Sequence, residues 1–216
     1  MTSSQYDIRL IKDSDRDEII DFLVNEFLQN EPMNYGLGMK KESKKSKLDR
    51  LLGAQFAKEN SLIAFSKEDG RIVGLRLITL VNRESEKYMA DINNNDNLDM
   101  NSPQRFINNI LADVKKDLFN LLPSTVKTLV RTEISCVAKQ WYRKGIAKRL
   151  ENEGNDVIRK KFPEIQGIVA EATSIANQML LKKEGYTTLK KSNFADFNIP
   201  LGYDGSDHVE LMVKLF

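Results

Sequence analysis

Apolar and polar positions alternate from Tyr6 to Ile11, the two-residue period of a half-buried strand, so the chain is predicted to open on β-structure. Asp13-Ser14-Asp15 then offers helix N-caps, and Ile19, Ile20, Phe22, Leu23 and Phe27 recur at helical spacing. That spacing predicts a first helix from Asp15 to Leu28, ended by Pro32. The lysine-rich run Lys40 to Lys47 reads as the solvated start of a second helix, with Leu51, Leu52, Phe56 and Ala57 as its apolar stripe. Leu62–Phe65 and Ile72–Leu80 flank Glu68-Asp69-Gly70-Arg71, the pattern of a hairpin with an Asp-Gly turn.

The Asn- and Asp-rich stretch from Asp91 to Ser102 reads as a surface loop. Phe106, Ile107, Ile110, Leu111, Val114, Leu118 and Phe119 predict a third helix from Pro103 to Asn120, with Pro123 behind it. Val126 to Val137 reads as a long strand and Lys148 to Lys161 as a helix. A short strand at Gly167–Glu171 follows, then a helix from Ser174 to Glu184 closed by Gly185. Tyr186–Leu189 and Val209–Leu215 are the last predicted strands. With no repeat and no linker, residues 1–216 read as one α/β domain.

The stretch Trp141-Tyr142-Arg143-Lys144-Gly145-Ile146-Ala147-Lys148-Arg149-Leu150 joins the long strand to its helix. Strand, glycine-containing turn and helix N-terminus together make a phosphate cradle. First-turn N–H groups lack intrahelical partners and the helix dipole places positive charge there. Gly145 permits close backbone approach, and Arg143, Lys144, Lys148 and Arg149 add charge. No hydroxyl follows Lys148, so this is not a P-loop, and the spacing is not that of a dinucleotide fingerprint. An ordinary strand-to-helix turn with a solvated basic face has the same local pattern.

Composition narrows the options. The chain has 33 Lys plus Arg against 31 Asp plus Glu, a net charge of +2, which argues against non-specific nucleic-acid binding and makes any phosphate site local. It has one cysteine, Cys136, so no internal disulfide can form and a reducing compartment is expected. Its one histidine, His208, speaks against a His-rich metal site or a Ser-His-Asp triad. Met1–Asp7 carries no apolar signal core and no run approaches the ~20 residues of a membrane span, so a cytoplasmic protein without membrane attachment is expected.

The second chemical signal is Phe27-Leu28-Gln29-Asn30-Glu31-Pro32-Met33-Asn34. Pro32 drives Glu31 out of helical conformation and fixes its carboxylate at a break in the fold. Apolar Phe27, Pro32 and Met33 around that carboxyl would raise its pKa toward that of a general base. A solvated Glu before a helix-stopping proline is the plainer alternative.

These features, in this order, resemble the Gcn5-related N-acetyltransferase superfamily, and within it the insect-type arylalkylamine (dopamine) N-acetyltransferases. Gly145-Ile146-Ala147 is similar to the second half of the family's acetyl-CoA turn, Gln/Arg-x-x-Gly-x-Gly/Ala. Asn30-Glu31-Pro32-Met33 resembles the Asp/Asn-Glu-Pro-Leu segment that carries the family's proposed catalytic Glu. Asp117-Leu118-Phe119 resembles the element in the family's inserted helix, Arg71-Ile72-Val73-Gly74 its second hairpin strand, and Ser174–Tyr186 its late helix. The resemblance implies a single mixed, mostly antiparallel central sheet flanked by helices, with a long helical insertion before the central strand. Four positions depart from the pattern. Tyr142 stands at the leading Gln/Arg, Leu181 at the usual Tyr acid, and Thr173 and Asn177 at two serines.

What the resemblance implies chemically is acetyl-CoA as co-substrate and a primary amine, above all an arylalkylamine, as acceptor. Glu31 would deprotonate the amine, which titrates near ~10 when free. Strand N–H groups at Cys136 and Val137 would stabilise the oxyanion. Backbone N–H groups from Arg143 through Lys144, Gly145, Ile146 and Ala147 to Lys148 would hold the pyrophosphate, with Asn177 also at the cofactor. Thr173 or Ser174 would protonate the leaving thiolate, and no metal is implied. Cys136 as an acyl-carrying nucleophile is the ping-pong alternative. The segments Met33–Met39, Phe194–Phe197 and Leu201–His208 would line the amine pocket. A polyamine, an amino acid or a protein lysine as acceptor, and a non-catalytic CoA-binding protein, are the competing readings.

Overall fold

A computed structural model describes residues 5–39, 45–84 and 98–216. Seven strands form one mixed sheet in the order β1-β2-β3-β4-β5-β7-β6, with helices flanking it. The strands are β1 (Tyr6–Leu10), β2 (Leu62–Ser66), β3 (Ile72–Asn82), β4 (Thr128–Val137), β5 (Gly167–Ala172), β6 (Thr187–Asn193) and β7 (His208–Leu215). Antiparallel pairing joins β1 to β2, β2 to β3, β5 to β7 and β6 to β7. The mixed sheet with flanking helices is the fold class expected from the sequence. Residues 40–44 and 85–97, which hold most of the lysine run and the Asn-rich loop, lie outside the described residues.

The chain divides into two compact units. The first comprises Met1–Leu28, Lys41–Thr79 and Thr132–Pro163. Its helices are α1 (Arg16–Phe22), α3 (Lys45–Gly53), α4 (Gln55–Asn60) and α6 (Ile146–Lys161). One cluster packs Ile19, Ile20 and Leu23 with Leu48 and Leu52 onto Ile63, Leu75 and Leu77. A second packs Ile146 and Leu150 of α6 onto Leu62, Ala64 and Val73. The β2–β3 hairpin turns at Asp69-Gly70 as expected, with Gly70 at φ +73° and Arg71 N–H donating to Asp69 Oδ1 at 3.2 Å.

Beneath α6 lies a buried ion pair. Arg76 of β3 (1 % exposed) holds Glu151 (3 %) through Nε···Oε2 at 3.1 Å, and Thr132 Oγ1 accepts from its Nη2 at 3.2 Å. Gly154 leaves the guanidinium its space: a Cβ there would lie 2.3 Å from Arg76 Nη1.

The second unit comprises Gln29–Lys40, Leu80–Arg131 and Glu164–Phe216. It contains α2 (Pro32–Gly36), α5 (Pro103–Lys115) and α7 (Ile175–Lys183). Ile107, Ile110 and Val114 of α5 pack with Leu118, Phe119, Leu129, Val169, Val209 and Leu211.

Three helices differ from their sequence expectation. The first is regular only to Phe22. A π-helical turn, Leu23–Phe27, follows and closes with Leu28 N–H on the Leu23 carbonyl, then a last turn Leu28–Asn30. The second is two helices, because Gly53 weakens the run and Ala54 turns extended (ψ 127°). The third stops at Lys115 rather than Asn120. The Lys190 ammonium takes the Asp113 carbonyl at 2.6 Å, and short turns bury Leu118 and Phe119 beyond it.

Candidate functional site

In the first unit, β4 runs into a short 3₁₀ turn, Lys139–Trp141, and then into the Tyr142–Gly145 turn that opens the 16-residue α6. Arg143 (φ +63°) and Gly145 (φ +79°) are both left-handed, and a left-handed arginine is uncommon enough to point to a local demand. Gly145 is the N-cap of α6 and brings no capping side chain, so the first N–H groups of the helix face outward without a side-chain cap. Ile146 is buried against Gly74, whose missing Cβ would sit 2.8 Å from Ile146 Cγ2, so the strand accepts α6 closely. Ile146 and Ala147 thus bring N–H groups to the turn rather than projecting side chains.

The basic residues divide. Arg143 and Lys148 are exposed. The Lys144 ammonium donates to Gln5 at 3.0 Å and lies 4.1 Å from the centre of the Trp141 ring. Arg149 pairs with Glu153 at 2.8 Å and stacks over Tyr6 at 4.9 Å. The Tyr6 hydroxyl reaches the Lys144 carbonyl at 3.5 Å, so β1 helps hold the turn. Tyr142 is 44 % exposed.

Cys136 and Val137 are half-buried at the end of β4. Burial, and then the charge of Glu26, push the Cys136 thiol well above its ordinary range. A thiolate is the nucleophilic form, so this environment opposes the ping-pong alternative.

In the second unit Glu31 is 7 % exposed and stands between helices, extended at φ −77° and ψ 127° as a residue before proline should be. Pro32 stops the preceding helix and also starts α2, where its missing N–H costs nothing. The solvated Glu of the plainer alternative is not found. Beside the apolar neighbours expected for it, the carboxylate meets two backbone donors. Oε1 accepts from Met33 N–H at 3.2 Å and Oε2 from Asn34 N–H at 2.8 Å. Each carboxylate oxygen has about two acceptor positions, so both oxygens keep one for a substrate proton or a water.

The same unit gathers the other predicted segments. Gly202 lies on Pro32 so closely that a Cβ would be 2.6 Å from Pro32 Cβ, and Gly36 meets the Pro200 carbonyl at 2.8 Å in the same sense. Gly202 N–H donates to the Ser206 carbonyl at 2.8 Å, and Ser206 Oγ accepts from Ile175 N–H at 3.1 Å. The Glu31 segment, the 199–206 loop and the start of α7 therefore form one packed arrangement. Tyr35 and Tyr203 meet edge to face at 5.5 Å on its exposed side.

Ser174 caps α7, its Oγ accepting from Asn177 N–H at 3.2 Å, which leaves its own hydroxyl proton to donate elsewhere. Thr173 and Asn177 are half-buried, and Leu181 is core. Ser206 was not singled out from the sequence, since nothing local marks a serine that caps a helix 31 residues upstream. His208 lies between Asp207 (2.5 Å) and the buried Glu210 (3.1 Å).

No protein-family model matches the chain, and no curated protein matches it in sequence. Solved structures do match in three dimensions. Arylalkylamine N-acetyltransferase 2 from Aedes aegypti is 18% identical, covers 97% of this chain and 98% of its own, and superposes with a TM-score of 0.79. A polyamine N-acetyltransferase from Drosophila melanogaster, which catalyses formation of N-acetylagmatine, is 15% identical over 98% of this chain and 100% of its own, with a TM-score of 0.81. The NatB acetyltransferase complex bound to CoA and MES is similar more distantly, at 12% identity and a TM-score of 0.55 over 97% of this chain and 99% of its own.

Proposed function

We propose that this chain, which has the Gcn5-related N-acetyltransferase fold, is an acetyl-CoA-dependent N-acetyltransferase whose acceptor is a primary amine, an arylalkylamine above all. The fold extends over 97% of the chain in its likeness to an arylalkylamine enzyme. The observation that carries the chemical reading is the buried Glu31 carboxylate, anchored by two N–H groups with acceptor capacity to spare. The whole chain is read as one acetyltransferase domain, acting in the cytoplasm on small molecules.

An alkylammonium must lose a proton before its lone pair can attack. Glu31 takes that proton, directly or through a water. The nitrogen then bonds to the thioester carbonyl carbon, and the oxyanion is stabilised by N–H groups at Cys136 and Val137. The C–S bond breaks, and the thiolate leaves with a proton from Thr173, Ser174 or water. Acetyl-CoA supplies the activated acyl group. Its pyrophosphate is assigned to the N–H groups from Arg143 through Lys144, Gly145, Ile146 and Ala147 to Lys148, with Asn177 near the pantetheine. The exposed Tyr35–Tyr203 pair beside the Glu31 segment favours an aromatic acceptor.

A second reading keeps the fold and exchanges the acceptor for a polyamine. Residues 194–207 hold Asp196, Asp204 and Asp207 and no Lys or Arg, which favours a second cation on the substrate. Initial rates on dopamine, serotonin, spermidine and agmatine, followed by thiol release, separate the two. Glu31→Gln is expected to lower turnover at least tenfold with CoA affinity retained; unchanged turnover removes Glu31 from the chemistry, and tight CoA binding without turnover on any amine favours a non-catalytic protein.

A further inference from the structure

Glu26 has no place in that mechanism, yet the structure gives it an unusual position. It lies in the π-helical turn Leu23–Phe27, where one extra residue per turn shifts the phase of the helix, and such turns recur at functional sites. Glu26 Oε2 accepts from the backbone N–H of Lys139 at 3.1 Å, a contact between residues 113 apart in the chain. Lys139 is the first residue of the 3₁₀ turn Lys139–Trp141, whose N-cap, Ala138, has no side chain able to accept. Glu26 therefore performs the cap that Ala138 cannot. Downstream, Trp141 N–H closes on the Ala138 carbonyl at 2.8 Å and its ring supports Lys144, the residue before Gly145.

We propose that Glu26 is a positioning residue for the acyl-carrier site: by pinning Lys139 it sets where the Tyr142–Gly145 turn stands at the head of α6. The inference rests on the assignment of that turn to CoA. The bond lies at the exposed surface of the turn, and a carboxylate acceptor makes it charge-assisted. After burial, the charge of the same carboxylate pushes up the thiol of Cys136, the one cysteine in the chain, which makes that thiol a chemical reporter of the Glu26 charge.

The test compares wild type with Glu26→Ala, Glu26→Gln and Lys139→Pro. Proline at the first position of a helical turn is tolerated but removes the N–H donor, and Lys139→Ala controls for the lost ammonium. Glu26→Ala and Lys139→Pro are each expected to raise the acetyl-CoA KM and the CoA Kd about tenfold, the size of one lost charge-assisted hydrogen bond, with kcat within twofold. Combined, they are expected to cost no more than either alone. Glu26→Gln keeps an acceptor oxygen and restores KM, but it speeds iodoacetamide alkylation of Cys136 at pH 8 because the negative charge is gone. Denaturation midpoints identify any variant that has simply unfolded, and Lys139→Pro then stands in for Glu26→Ala. A folded Glu26→Ala or Lys139→Pro protein with wild-type KM and Kd overturns the inference alone. A wild type that binds no CoA overturns the functional reading and this inference with it.

Discussion

Replacing Gly154 with alanine sets two physical effects against each other. In a helix interior the change ordinarily stabilises by about 0.5–1 kcal/mol, because alanine loses less backbone freedom on folding. Here the new methyl would lie 2.3 Å from Arg76 Nη1 and 3.3 Å from Leu62 Cδ1. Overpacking of that kind costs about 1–3 kcal/mol. If the guanidinium is pushed off Glu151, now 3.1 Å away and almost fully buried, the cost approaches the ~3–5 kcal/mol of a broken buried pair. With the guanidinium displaced, the expected net change is a loss of about 2–4 kcal/mol, roughly a 4–16 °C fall in Tm for a chain of this size. Urea denaturation and calorimetry measure it. In an Arg76→Met/Glu151→Leu background the crowding atom and the buried charges are both gone, and Gly154→Ala is expected to be neutral or stabilising there. If Gly154→Ala stabilises the unmodified protein, helix propensity outweighs the clash and the glycine is not the slot for Arg76.

Three other outcomes are expected. Gly145 has open space around its missing Cβ but φ +79°, so the cost of substitution is backbone strain of about 1–2 kcal/mol. Gly145→Asn should retain more stability and CoA affinity than Gly145→Val; equal behaviour refutes a left-handed requirement. Burial pushes the Glu210 carboxyl up, but Thr188, Lys182, Lys191 and His208 outweigh it and hold the group far below the usual carboxylate range. A depressed carboxyl stabilises the fold above its unfolded pKa, about 4.3, and that stability is lost as pH falls below it. Glu210→Gln should therefore flatten the acid side of a stability–pH profile, and an unchanged profile counts against the cluster. Because both Glu31 oxygens accept N–H groups and glutamine offers one carbonyl, Glu31→Gln should also lose about 1 kcal/mol of stability in urea, apart from its effect on turnover.

Much of the fold was legible because the signals were local. The Asp69-Gly70 hairpin, the Ser174 cap and Gly185 stop of α7, and the extended backbone of Glu31 each follow from one or two residues whose φ, ψ or side chain allows little else. The split at Gly53 and Ala54 is local too, but the early stop of α5 was decided from outside. A lysine on β6 takes a carbonyl at the end of α5, and burial of Leu118 and Phe119 favours short turns over continued helix.

The site divides in the same way. The left-handed backbone of Gly145 and the extended backbone of Glu31 before Pro32 could be read directly, since each is set by one or two residues. By contrast, Ser206 on Ile175, Glu26 on Lys139 and Gln5 on Lys144 bring together residues 31, 113 and 139 positions apart. Hydrophobic period and turn chemistry determine which segments become strands and helices and which backbone groups are left to bind. The partners of buried polar groups are chosen by sheet order and packing, because the cost of an unpaired donor or charge is settled only once the segments meet.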